Sequence, residues 1–255
     1  MIETGSVESK IINGVGSIVF YHPQSNSLPG ALLNKLAEEI SSMGNNKEAK
    51  VIVLKSQGNK VFCGGASFDE LLTLDNFEKG KTFFSGFAKV INAMRKCPKF
   101  IIGRIQGKAV GGGVGLASSV DYALAMNTAS VKLSELAVGI GPFVVGPAVE
   151  RKIGTAAFSS LAINATEWQD AQWAKDNGLY ANVFSTEEEL DKAIDNLAEK
   201  LAKSNPEAME LLKKVFWKGT ENWDTLLSER AEMSGKLVLS DFTVNAINKF
   251  KTGVR

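Results

Sequence analysis

Histidine, cysteine and net charge are all scarce in this chain, and each scarcity removes a class of chemistry. Among 255 residues His22 is the sole histidine, and 29 Lys and Arg against 28 Asp and Glu leave a net charge of +1. Any Ser-His-Asp triad would have to be built on His22, which stands before Pro23 in a polar segment. No His/Cys cluster has the spacing of metal ligands, so no metal site is expected. The balanced charge offers no basic face for nucleic acid. No apolar run is long enough to cross a membrane. Residues 1–10 carry acids and lack an apolar core, so they do not read as a signal peptide. Cys63 and Cys97 are too few for a disulfide framework and read as buried thiols in a reducing compartment, with cytosol the default. Catalysis is left to carboxylates and backbone dipoles.

The remaining composition is that of a globular protein, 44% apolar and 22% charged. The length suits one large domain, or a core with a small appendage. Lys10 to Phe20 predicts a hairpin around Asn13-Gly14. Ser27 is the expected N-cap of a helix whose apolar face carries Leu32, Leu33, Leu36, Ile40 and Met43. Val51 to Lys55 predicts a buried strand. The helix Phe77 to Lys96 carries Phe83, Phe84, Phe87, Val90, Ile91 and Met94 at the spacing of core packing. Phe100 to Ile105, Tyr122 to Met126 and Ser130 to Leu133 predict short strands. Strands alternating with helices argue for α/β crossovers. Helices are expected over 156–161, 165–177, 187–203, 206–217, 223–240 and 242–250. A boundary is placed near residue 195, giving a core of 1–195 and a helical part of 196–255.

Two segments stand out. In Ile105-Gln-Gly-Lys-Ala-Val-Gly-Gly-Gly-Val-Gly115 three consecutive glycines join an apolar run to a helical one. Such a junction lets the backbone approach a ligand and aims free N–H groups at it, aided by the helix dipole. It is not a P-loop, because Lys108 is followed by Ala109. It is not a dinucleotide fingerprint, because the third glycine of that motif is absent. Lys60-Val-Phe-Cys-Gly-Gly-Ala-Ser-Phe-Asp-Glu70 repeats the design after another buried strand. Two such junctions can each give one N–H to a carbonyl oxygen.

Together these segments resemble the crotonase (enoyl-CoA hydratase/isomerase) superfamily, with its Phe-Cys/Ala-Ala/Gly-Gly-Ala-Asp turn and later Asn-Gly-x-Ala-x-Gly-Gly-Gly-x-Glu. The likeness runs from Val15 to Lys251. It implies a spiral of repeated ββα units followed by a helical region that builds trimers, often paired into hexamers. It also implies an acyl-CoA thioester substrate, no cofactor beyond that CoA, and an enolate stabilised by the backbone N–H groups of Ala66 and Gly112. Gly64, Gly65, Phe68, Gly111, Gly113, Gly115 and Phe143 are then expected around the substrate, with Phe250 and Lys251 near a neighbour's CoA.

The chain departs from the family at the proton shuttle. Hydratases of the family place two glutamates about twenty residues apart. The first position here is Gly115, and the second is Glu135, in Leu133-Ser-Glu-Leu-Ala-Val-Gly139. Ser67 replaces the usual Asp, Ser134 the usual Pro, and Gly141-Pro-Phe-Val-Val145 a glycine-rich loop. One carboxylate suffices to move a proton between carbons, so the pattern favours double-bond isomerisation. Hydration is the nearest alternative, with Asp69, Glu70, Ser118 or Ser119 as water holders. Decarboxylation of a carboxyacyl-CoA and a non-catalytic CoA-binding subunit remain further alternatives.

Overall fold

The computed structural model describes residues 5–252, with side chains described through residue 249. Phe250 and Lys251 therefore lie outside the described side chains. The chain opens with the expected hairpin, β1 (Ser6–Ile12) and β2 (Val15–Tyr21), with Asn13 and Gly14 at φ 51° and 82°. Helix α1 (Gly30–Asn45) follows and buries the five apolar residues foreseen for it. Its N-cap is Pro29, not Ser27. The Ser27 hydroxyl lies 2.9 Å from His22 Nδ1 instead, and both residues are buried.

A repeated unit then builds the body. In each repeat one strand joins a large sheet and the next a small one. The first repeat comprises β3 (Val51–Ser56), β4 (Val61–Cys63), the short α2 (Phe68–Leu71) and α3 (Phe77–Lys96). The second comprises β5 (Ile101–Ile105), β6 (Lys108–Val110) and α4 (Gly112–Ser119). The third comprises β7 (Tyr122–Met126), β8 (Ser130–Lys132) and α5 (Gly146–Ile163). Next come β9 (Gln169–Asp170), α6 (Ala171–Asp176), β10 (Asn182–Phe184) and α7 (Glu187–Ala202). The large sheet runs β1-β2-β3-β5-β7-β10 and the small one β4-β6-β8-β9. Both are parallel except for the β1/β2 and β8/β9 pairs. This is the expected α/β spiral of ββα units.

The large sheet is covered on both faces, which explains its nearly continuous apolar strands. Ile52, Leu54, Ile101 and Ile105 face the core under α1 and α3. Val51, Val53, Ile102 and Leu124 face Leu190, Ile194 and Ala198 of α7. Residue 195, where the sequence places a boundary, lies inside α7, so no linker stands there. The single helix expected over 165–177 is instead β9 plus α6, because Asp170 caps α6 through Trp173 N–H.

The C-terminal helices are α8 (Pro206–Phe216), α9 (Trp223–Leu237) and α10 (Asp241–Thr252). Trp223 and Leu227 of α9 are buried within this chain. The crossing with α3 is tight, since a Cβ on Gly80 would meet Gly235 O at 2.8 Å. Apolar surface is left exposed on α8, at Leu211, Leu212, Val215 and Phe216.

Candidate active site

The spiral brings the ends of β4, β6 and β8 to one place. After β4 the chain turns at Gly65, φ 87°, where a Cβ would meet Val110 O at 2.7 Å and Gly112 N at 3.5 Å. Only glycine permits the two turns to approach so closely. The turn is pinned to the segment before α1. Gly64 N–H donates to Ser25 O, Leu28 N–H to Gly65 O and Ser67 N–H to Leu28 O. After β6, Gly111 takes φ 53° and donates its N–H to Lys132 O at 2.9 Å. Gly112 then opens α4, so its N–H has no intrahelical partner. Among the described residues neither Ala66 N–H nor Gly112 N–H has a protein acceptor. The two donors flank a cavity of about 60 Å³ that both residues line.

Glu135 enters that cavity from the end of β8, at the start of a 3-10 turn, Leu136–Val138. Its Oε2 is buried without a hydrogen-bond partner, although part of the residue reaches solvent. Burial pushes the carboxyl up to about 7, against a smaller pull from its own backbone N–H. A Cβ on Gly111 would lie 3.0 Å from Glu135 Oε1, so the glycine makes room for the carboxylate beside the donors. Among the described residues Glu135 is the only acid lining the cavity, and no described Lys, Arg or His lines it.

The rest of the wall is apolar. Leu71, Phe84, Phe87, Ile140 and the run Pro142–Val145 line it, with Ser134 and Ser234 as the hydroxyl groups. The Phe87 ring packs directly on Gly112 and supports the second turn from below. Sequence reasoning assigned Phe84 and Phe87 to the core, and they are core and cavity wall at once, which helical spacing alone cannot distinguish. Ser234 was missed. It comes from α9, and nothing in the sequence pairs that helix with the glycine turns.

Of the expected substrate residues, Gly64, Gly65, Ala66, Phe68, Gly111, Gly112 and Phe143 line the cavity. Gly113 and Gly115 do not, and their roles are corrected. Gly113 packs against Cys63 O, where a side chain would collide. A Cβ on Gly115 would meet Val145 Cγ1 at 2.5 Å. Both glycines allow close packing rather than substrate contact.

The expected water holders are committed elsewhere. Asp69 accepts from Gln24 Nε2 at 2.5 Å, and Glu70 from Gly30 N–H at 2.7 Å, capping α1. Ser118 and Ser119 donate to Val114 O and Gly115 O inside α4. Ser67 caps α2 by accepting from Glu70 N–H at 3.4 Å. Cys63 and Cys97 are both buried, and desolvation pushes the Cys63 thiol up to about 12, so it supplies no thiolate.

Comparison with known proteins agrees with this fold. The family described as enoyl-CoA hydratase/isomerase matches residues 10–249. The chain is 32% identical over 201 residues to the mitochondrial methylglutaconyl-CoA hydratase of Rattus norvegicus, covering 77% of this chain and 63% of that protein. It thus spans just under two thirds of that relative. It is 28% identical over 197 residues to the peroxisomal Delta(3,5)-Delta(2,4)-dienoyl-CoA isomerase of Arabidopsis thaliana, covering 71% of this chain and 69% of that protein. The crystal structure of enoyl-CoA hydratase from Bacillus halodurans superposes with a TM-score of 0.87 at 21% identity, covering 95% of this chain and 98% of that one, and it supports the fold. Relatives named for two different reactions thus match this one chain, and by the family match over residues 10–249 the chain belongs to the enoyl-CoA hydratase/isomerase family.

Proposed function

We propose that the chain is an acyl-CoA enzyme that isomerises an enoyl-CoA double bond, with Glu135 as its one base. The observation that carries the reading is that Glu135 is the only acid among the described residues lining the cavity, while Val145 fills the direction a side chain on Gly115 would take. A 3-enoyl thioester binds with its carbonyl oxygen between Ala66 N–H and Gly112 N–H. The Glu135 carboxylate takes a proton from C2, and the negative charge passes to the thioester oxygen as a dienolate forms. Two preorganised donors stabilise that charge by about 2.7–4 kcal/mol each in a dry site. Protonated Glu135 then returns the proton at C4, leaving the conjugated 2-enoyl thioester. A carboxyl near 7 suits both halves of this transfer at neutral pH.

Hydration needs a second group to hold and deprotonate water, and the named candidates for it are occupied elsewhere. Among the described residues the lining holds no cation to pair with a carboxyacyl tail, so the acyl group we expect is uncharged. At about 60 Å³ the free space suits a few waters or a short acyl group. The same reading includes a homotrimer or hexamer, with the exposed apolar face of α8 among the surfaces available for it. A monomer by light scattering at micromolar concentration contradicts that assembly. A panel of CoA thioesters assayed separately for 3-enoyl isomerisation, 2-enoyl hydration and CO2 release tests the reaction. Isomerisation should dominate, and hydration at a comparable rate would replace it as the reading.

A further inference from the structure

Ser234 is 2% exposed and lines the catalytic cavity, yet its hydroxyl forms no hydrogen bond with the described residues. Serines inside helices commonly donate to the carbonyl four residues back. Ser41, Ser118 and Ser119 do so here, to Ala37 O, Val114 O and Gly115 O. Ser234 does not. Close packing of α9 on α3 falls to its neighbour, since a Cβ on Gly235 would meet Lys81 N at 2.6 Å. That contact needs no hydroxyl at position 234.

The fold places this hydroxyl at the inner part of the site. Trp223, Leu227, Ala231, Ser234 and Gly235 form the buried stripe of α9, on one helix face. Ser234 is the hydroxyl of that stripe, set where the helix passes the cavity. The cavity adjoins a wider groove of about 770 Å³, and the two share Gly64, Ala66, Phe68, Val110, Ser134 and Val138. Ser134 thus stands at the shared rim. Ser234 lines the cavity alone, as do Leu71, Phe84 and Phe87, on the side that the groove does not share. A chain entering from the groove meets Ala66 first and Ser234 further in.

A plain alkyl chain filling the cavity would leave the Ser234 hydroxyl against methylene groups, and a buried hydroxyl without a partner is costly. An oxygen on the chain removes that cost by accepting the hydroxyl proton. We propose that the preferred acyl group carries an uncharged oxygen (ether, ketone or hydroxyl) just beyond C4, and that Ser234 selects it by a hydrogen bond. The oxygen is uncharged because no described cation lines the cavity to pair with a carboxylate. It lies close behind C4 because about 60 Å³ leaves little room for further chain. The inference rests on the acyl-CoA reading above and names the class of acyl group that its cavity selects.

The test measures binding of saturated thioesters, which have no double bond to move, by calorimetry. The probes are hexanoyl-CoA, its isostere with an ether oxygen in place of the C5 methylene, and 5-oxohexanoyl-CoA. The wild type should bind an oxygenated probe at least as tightly as hexanoyl-CoA, although an oxygen without a partner in an apolar cavity loses affinity. Ser234→Ala should lower that relative affinity about five- to tenfold, as expected for one uncharged hydrogen bond. Melting curves check that the variant is folded. A ratio unchanged by Ser234→Ala overturns the proposal and leaves the serine a packing residue. The same fall in Ser134→Ala but not in Ser234→Ala overturns it too, by assigning the oxygen to the rim. The reaction is scored apart, with the matching 3-enoyl thioesters. Probes that bind with the predicted ratio while no 3-enoyl thioester is isomerised would end the isomerase reading and keep Ser234 as the selector.

Discussion

Val145 occupies the direction in which a side chain on Gly115 would extend. A Cβ at position 115 would stand 2.5 Å from Val145 Cγ1 and 2.7 Å from Val145 Cβ, and Val145 itself lines the cavity. The place where family hydratases carry a second acid is here closed by a valine from the loop that replaces their glycine-rich one.

That packing predicts the outcome of restoring the acid. Gly115→Glu alone should lose stability, because overpacking costs about 1–3 kcal/mol and helix propensity returns at most ~1 kcal/mol. It should gain no hydratase activity. Combined with Val145→Ala, which opens the space, the glutamate should recover stability and release 3-hydroxyacyl-CoA from a 2-enoyl substrate. Denaturant titration and product analysis check both halves. A single variant as stable as the wild type would show that Val145 yields freely.

Glu135 should make both rate and stability depend on pH. The carboxyl holds its proton to about 7 in the fold, against 4.5 for an ordinary glutamate. Between those values the folded chain binds more protons than the unfolded one, so stability falls as pH rises. The stabilisation is complete below the unfolded value and lost through the folded value. At 1.36 kcal/mol per pKa unit the whole difference is at most about 3 kcal/mol. Glu135→Gln lacks this dependence and should gain on the wild type in melting temperature from pH 5 to pH 8. The rate of the wild type should rise through about pH 7 and level off above it, since the ionised form is the base. Parallel melting curves for the two proteins across that range would place the proton elsewhere.

Phe143 should set the length of the acyl group. Its ring covers Gly141, where a Cβ would meet the ring at 2.8 Å, and it forms part of the cavity wall. Phe143→Ala should shift the preference in kcat/KM toward longer acyl chains by about tenfold, since one or two extra buried methylenes are worth ~0.8 kcal/mol each. A length profile identical to that of the wild type would remove Phe143 from the acyl pocket.

The sequence shows the two glycine turns and Glu135 because each leaves a local mark. The turns need glycines at strand ends, and Glu135 stands at a fixed distance beyond them. The strands and the long helix α3 are legible for the same reason, through short-range apolar periodicity. What escapes the sequence depends on contacts between distant segments. Ser27 has the residue type of a cap but hydrogen-bonds His22, and Glu70 caps α1 from across the loop. Gly115 matches an acid position by spacing, yet only the fold brings Val145 against it. Ser234 reaches the cavity from a helix nearly a hundred residues further on. Lys108 and Lys132 meet over the Trp168 ring through the β6/β8/β9 register, which no local pattern announces.

The account stands most directly on the isomerisation rate of Glu135→Gln with a short 3-enoyl-CoA, measured beside its affinity for CoA. One carboxylate carrying the proton between carbons predicts a loss of about 10²–10⁴-fold in kcat with CoA binding nearly intact. A loss of only a few-fold in a folded, CoA-binding variant would contradict Glu135 as the base.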